Sequence, residues 1–291
     1  MADQGILFDL PPPAGKPLKF KPHERPLWTE NKARLIERYL FYFVLVTKHG
    51  AYIDGFAGPQ NYRSLNSWAA KQVLESKPAL LREFWLCEID AKGVAALEKL
   101  KTGLPVVRNR SVEVVPGDFN ETVHRVLNEC KITDRTAAFC LLDQRTFECH
   151  WSTVQTLSKF KKGGHKIELF YFLGSGWLDR SLKGTKHVDK IERWWGNSDW
   201  RKLRGMRNFD RAQLVTSRFR DELGYVNAYS WPIYKKGSSG GRIMYHMVHA
   251  TDHPEAPKLM HRAYFNATKA REPIPQLELE LGQLLKKSPR A

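Results

Sequence analysis

Apolar positions along the chain fall into two alternating rhythms. Leu35, Ile36, Tyr39, Leu40 and Phe43 share one side of a helix whose other side carries Lys32, Arg34, Glu37 and Arg38, with Thr29 at its N-cap. That helix leads into a short apolar strand, Tyr52-Ile53, which ends in Asp54 and a turn with two glycines, Gly55 and Gly58, in four residues. Short buried runs then alternate with amphipathic stretches. FWLCEID, Phe84 to Asp90, predicts a strand ending in acids, and Ala91 to Leu100 a helix after it. SVEVVPGDFN, Ser111 to Asn120, predicts a strand and a turn before a helix from Glu121 to Glu129. A fourth strand, Ala137 to Asp143, precedes a helix near His150 to Phe160, and a fifth, Ile167 to Leu173, ends in Gly174-Ser175-Gly176. This alternation predicts a mostly parallel sheet covered by helices on both faces.

The rhythm breaks at residue 177. Residues 177–224 read as a helical, basic, tryptophan-rich insertion centred on Trp194 to Arg207. Two further strands, Ala228 to Tyr234 and Ile243 to Thr251, flank the glycine-serine turn Lys235 to Gly241 and predict a C-terminal hairpin. The expected fold is therefore α/β, with seven strands in residues 28–267 and a helix from Ala256 to Asn266 packing back. Residues 1–27, with prolines interleaved with lysines, predict an arm that cannot bury enough to fold alone. Residues 268–291 predict a leucine-bearing helical tail with a basic end.

Charge changes this picture more than overall composition does. A net charge of +16 makes a polyanion the first partner to consider. Between Ser158 and Arg220 there are 16 Lys and Arg against 6 Asp and Glu, so most of the excess lies in and beside the insertion. Lys202, Arg204 and Arg207 are its candidate phosphate contacts, and Trp195 and Trp200 are candidates to stack on an exposed base or to serve as core. Cys87, Cys130, Cys140 and Cys149 form no CxxC pair, and three of them sit in or beside apolar runs, which predicts buried free thiols in a reducing, cytoplasmic protein. No metal site is expected, since His246 and His249 alternate with apolar residues on a strand and read as core or edge histidines.

Polar residues collect at the carboxyl ends of the predicted strands, where ligands bind in parallel α/β sheets. They are Asp54, Glu88 with Asp90, Asp118 with Asn120, and Asp143 with Gln144. An acid at the second strand's end suits ribose hydroxyls, and Asp90 either joins it or caps the next helix. Asp118 either reads an adenine edge or begins the helix after it.

DGFAG, EID, GDFN and LLD, in this order and spacing, resemble the Rossmann-like S-adenosylmethionine-dependent methyltransferases. Together with the helix before DGFAG, the LLDQRTFE element and His246 to Met260, they resemble more closely the three-Cys-motif partner family, over about residues 28–267. The three cysteines of that name belong to the partner, a radical-SAM-like protein. The resemblance implies that Asp54 approaches the methionine amino group of S-adenosylmethionine above the turn of Gly55, Phe56, Ala57 and Gly58. It implies that Glu88 holds the ribose with Ile89 on the adenine face, and that Asp118 and Phe119 contact adenine. Asp143 falls where amino-methyltransferases place their catalytic acid or amide, with Gln144 and Phe147 beside it. The sequence departs from that pattern twice: Gln60 replaces a glycine of the turn, and Gln144-Arg145-Thr146-Phe147 replaces two prolines and an aromatic. Three functions are thus expected in order: a methyltransferase acting on nucleic acid, a nucleic-acid-binding scaffold for the radical-SAM-like partner, and a metal-dependent nuclease.

Overall fold

The computed structural model describes residues 32–62, 65–184, 186–234 and 243–268. The arm at 1–27, Thr29, the turn at 235–241 and the tail from 269 onward lie outside the described residues. The elements run α1 (Lys32–Thr47), β1 (Gly50–Asp54), α2 (Ala69–Glu75), β2 (Leu81–Glu88), α3 (Ala91–Thr102), β3 (Ser111–Pro116), α4 (Phe119–Glu129), β4 (Ala138–Leu142) and α5 (Trp151–Lys159). They continue with β5 (Glu168–Leu173), α6 (Leu178–Gly184), α7 (Val188–Trp195), α8 (Asn208–Asp221), β6 (Asn227–Tyr234), β7 (Ile243–Thr251) and α9 (Ala256–Thr268). All seven predicted strands form. The helix α2 has no counterpart in the sequence pattern, because seven residues hold too few turns to display a periodicity.

The strands join one sheet in the order β3-β2-β1-β4-β5-β7-β6. β1 pairs in parallel with both β2 and β4, while β7 runs antiparallel between β5 and β6. Alternate strand residues feed opposite faces. Ala51 and Ile53 pack toward α4, α5 and α8, whereas Tyr52 packs toward α1, α2 and α9. The chain therefore builds a helix-sheet-helix sandwich, an open Rossmann-like α/β architecture. From β1 the connections lead outward to β2 and β3, and from β4 they lead the other way to β5. The crevice between the carboxyl ends of β1 and β4 is thus the topological switch point, where α/β sheets bind ligands.

The insertion does not have a core of its own. Trp194, Trp195, Trp200 and Leu203 share one continuous apolar core with β4, β5 and α5. Trp195 and Trp200 are each only 2% exposed, so the expectation that one stacks on a base is overturned: their rings are spent inside the protein. Arg218 of α8 fastens the insertion to α5. Its guanidinium lies 3.9 Å from the Trp151 ring centre and 4.0 Å from that of Trp195, and it forks onto Glu222 at 2.6 and 2.7 Å. On the other face, Tyr39 of α1 donates to the Glu168 carboxylate, whose Oε2 also lies 3.0 Å from His249 Nε2. His246 is hydrogen-bonded through Nδ1 to Ser175 Oγ at 2.7 Å, and burial lowers its pKa to about 4. Both histidines are core residues, as their spacing suggested. All four cysteines are free, three buried and Cys130 half-buried.

The Arg218 sandwich sets a measurable stability. Arg218→Ala loses a stacked cation and a charged hydrogen-bond fork, together worth about 2–4 kcal/mol. A lower urea midpoint is expected, with tryptophan fluorescence shifting first. An unchanged midpoint would show that the insertion is held by other contacts.

Candidate functional site

The turn after β1 is bonded to both neighbouring strands. Gly55 donates its N–H to Leu141 O of β4 at 3.0 Å, and Ala57 to Cys87 O of β2 at 2.8 Å. Neither Gly55 nor Gly58 takes a positive φ; each is required by a side chain coming close. A Cβ on Gly55 would lie 2.6 Å from the Phe119 ring, and one on Gly58 would lie 2.2 Å from Glu88 Oε2. Those contacts place the Glu88 carboxylate directly against the turn. Gly58 N–H donates to Glu88 Oε2 at 2.7 Å and Asp90 N–H to Oε1 at 2.8 Å.

Above the turn opens a cleft of about 640 Å³, a volume within the range of small-molecule sites. Gly55, Phe56, Gly58, Glu88, Ile89 and Asp118 line it, together with Phe119, Asp143 and Phe147. The structure thus gathers nearly all the predicted cofactor residues around one cavity. Ile89, 69% exposed, offers the apolar surface that a planar ring can cover. Asp90 is a helix cap, accepting from Gly93 N at 3.0 Å, and it also lines the cleft. Asp118 caps α4, with Asn120 N and Nδ2 both on its Oδ1 at 2.9 and 2.8 Å. Capping and cleft lining coincide at both acids.

Asp54 departs from the expectation. It is 1% exposed, and it accepts from the Tyr52 hydroxyl at 2.9 Å and from Phe56 N–H at 3.1 Å. It braces the turn from beneath rather than reaching a ligand. Ala57 is likewise buried under the turn and accepts through its carbonyl from Trp68 Nε1 at 2.6 Å. Gln144 is also corrected: at 1% exposure it donates to Phe172 O at 3.2 Å and accepts from Glu148 N and Cys149 N, so it shapes the loop after β4 and leaves no group for chemistry. Phe147 lines the cleft, yet its ring packs edge-on against Trp194 with centres 4.9 Å apart.

At Asp143 a charge pair crosses the site. Lys32 Nζ of α1 lies 2.5 Å from Asp143 Oδ2, and Gln60 Nε2 donates to the same oxygen at 3.0 Å. Asp143 Oδ1 is buried with no hydrogen-bond partner among the described residues. The Gln60 side chain therefore ties the glycine turn to the acid at the end of β4. Neither Lys32 nor the Gln60 link announces itself in sequence, since the first pair spans 111 residues and the second 83.

No protein-family model and no curated protein matches this chain. Among solved structures it is similar to the crystal structure of protein LPL1258 from Legionella pneumophila str. Philadelphia 1, family-model DUF519. The two are 11% identical, with 84% of this chain and 95% of that chain covered at a TM-score of 0.44. The fold stated above rests on the strand order and pairing of this chain itself.

The cleft also takes in three cations, Arg145 after β4 and Lys190 and Arg193 of α7, together with Glu121, Glu148 and His150 at the start of α5. The expected nucleic-acid contacts lie elsewhere and have partners within the protein. Lys202 faces Asp199 at 3.5 Å, Arg207 forks onto Asp210 at 2.9 and 3.3 Å, and Arg204 lies 5.0 Å from the Trp200 ring centre. Among the described residues, no three His, Cys, Asp or Glu side chains form a group suited to hold a metal ion, and no helix is long and apolar enough to cross a membrane.

Burial raises the Asp54 carboxyl to about 7, against the opposing hydrogen bonds from Tyr52 and Phe56, and the charges of Asp143 and Glu88 push the same way. An unfolded aspartate titrates near pH 3.9, so the folded state binds the extra proton between about pH 4 and 7. The stability this group contributes is complete below about pH 4 and is lost as the pH rises through about 7. Asp54→Asn is expected to flatten the fall of the urea midpoint across that window. An equally steep fall in the variant would assign the dependence to another group.

Proposed function

We propose that this chain is an S-adenosylmethionine-dependent methyltransferase, or a close relative of one, acting on nucleic acid in the cytoplasm beside a radical-SAM-like three-Cys-motif partner. The observation that carries the reading is the convergence of the glycine turn, Glu88, Ile89 and Asp143 on one cleft at the switch point. The residues present suit such a cofactor. Glu88 is anchored by two backbone N–H groups, which holds its carboxylate where ribose hydroxyls can donate to it. Ile89 supplies the apolar surface for an adenine ring, and Gly55 and Gly58 line the floor of the cleft beside it. When bound, the cofactor would supply an electrophilic methyl group.

The rest of the work falls to positioning, which is enough for an in-line displacement. Asp143 is the residue for it. Its Oδ2 is fixed by Lys32 and Gln60, while the unsatisfied Oδ1 has room in its hydrogen-bonding inventory for an acceptor N–H or O–H. An acceptor N–H or O–H donating to Oδ1 would be oriented by it, and the carboxylate charge would balance the positive charge that develops on the acceptor.

A second reading keeps the cleft and drops the chemistry, the protein serving as a nucleic-acid-binding scaffold for its partner. The engagement of Asp143 Oδ2 by Lys32 favours it, because the acid is already paired within the protein. Isothermal titration and labelled methyl transfer separate the readings. S-adenosylmethionine is expected to bind, Glu88→Ala to weaken it about ten- to hundredfold through lost charged hydrogen bonds, and Asp143→Asn, which keeps an oxygen for Lys32 and Gln60, to retain binding while sharply reducing transfer. Binding without transfer to any DNA or RNA would favour the scaffold. No heat with folded protein would end the cofactor reading.

A further inference from the structure

The cleft is divided by charge. On the β2–β3 side it is acidic, with Glu88, Asp90, Asp118 and Glu121. On the side of β4 and α7 Arg145, Lys190 and Arg193 outnumber the two acids there, Asp143 and Glu148. Lys190 and Arg193 stand three apart on α7 and so share a face of the helix. The opposite face of α7 is buried through Ile191, Trp194 and Trp195, and Trp195 is held under Arg218. The basic face is therefore turned toward the cleft by packing. His150 senses the same group: burial first, then the charges of Arg193 and Lys190, lower its pKa, and Asp118 opposes them. Among the described residues neither Arg145 nor Lys190 forms an ion pair; Arg193 meets Asp189 at 2.7 Å on an exposed surface.

The cofactor of the proposed function does not account for three cations. It brings a single carboxylate and is itself cationic at sulfur. A polyanion does account for them, and the chain's net charge of +16 would draw one in. We infer that Arg145, Lys190 and Arg193 form a phosphate-binding wall for the nucleic-acid backbone on either side of the acceptor nucleotide, which would lie at Asp143. This rests on the reading that the acceptor is nucleic acid. It moves the interface from Lys202, Arg204 and Arg207, which lie outside the cleft lining, to the mouth of the cleft.

Fluorescently labelled single-stranded DNA and RNA 20-mers, titrated against the full chain at a series of salt concentrations, test it. The slope of log affinity against log salt is expected to fall by about one per lost phosphate contact. Arg145→Gln/Lys190→Gln/Arg193→Gln should therefore reduce the slope by about two to three and weaken binding at least tenfold at low salt. Lys202→Gln/Arg204→Gln/Arg207→Gln should leave the slope within one unit of the parent. Circular dichroism checks that both triple variants fold, and single substitutions replace a triple that does not. Calorimetry with S-adenosylmethionine runs in parallel. A cleft variant with the parent's slope, or one that loses cofactor affinity instead, overturns the wall. A parent chain that binds cofactor but no oligonucleotide also overturns it. Loss of oligonucleotide binding in the cleft variant, in a protein that never binds cofactor, supports the wall and removes the methyltransferase reading alone.

Discussion

The contact on which the site depends is the meeting of buried Lys32 and Asp143 with the Gln60 side chain at one carboxylate oxygen. It joins the first turn of α1, the glycine turn after β1 and the end of β4, three segments with no local reason to be in register. Burying a charge is costly unless a partner balances it, and removing one partner of such a pair costs about 3–5 kcal/mol. Lys32 and Asp143 therefore hold one another in place, and Gln60 fixes the turn to both. In the sequence Gln60 is the residue that breaks a glycine pattern, whereas in the structure it is a strut.

Around that contact the sheet does the rest. Placing β1 and β4 side by side opens a crevice at their carboxyl ends, and β2 and β3 bring Glu88 and Asp118 to its edge. The glycines admit protein side chains, Phe119 at Gly55 and Glu88 at Gly58, so the turn is packed tightly before any ligand arrives. At Asp90 and Asp118 one carboxylate both caps a helix and lines the cleft, because a helix N-terminus favours an acid where the strand ends open into the crevice.

Much of this was legible. An apolar run that ends in an acid identifies both a strand and the end that opens on the cleft, so the places of Glu88, Asp118 and Asp143 along its rim could be read from the pattern. The glycine turn was equally plain. What failed was anything set by distant packing. Asp54 lies at a strand end like the others, yet Tyr52 and Phe56 N–H satisfy it beneath the turn. Trp195 and Trp200 look like stacking residues in a basic stretch, and only the fold shows them buried in the main core. Gln144 follows the acid in sequence but turns inward to the backbone of Phe172. Lys190 and Arg193 were invisible for the opposite reason: within a strongly basic segment nothing local distinguishes the two cations that face the cleft.

The clamp of Arg218 between Trp151 and Trp195 has a consequence for recognition. Immobilising a long, rotamer-rich side chain on binding costs about 0.5–1.5 kcal/mol, and ordering the element that bears it costs more. With α7 already fixed to the body, that second cost is met during folding. An incoming strand would meet a prearranged surface and have only side-chain ends to settle, the regime of rapid docking rather than of folding upon contact.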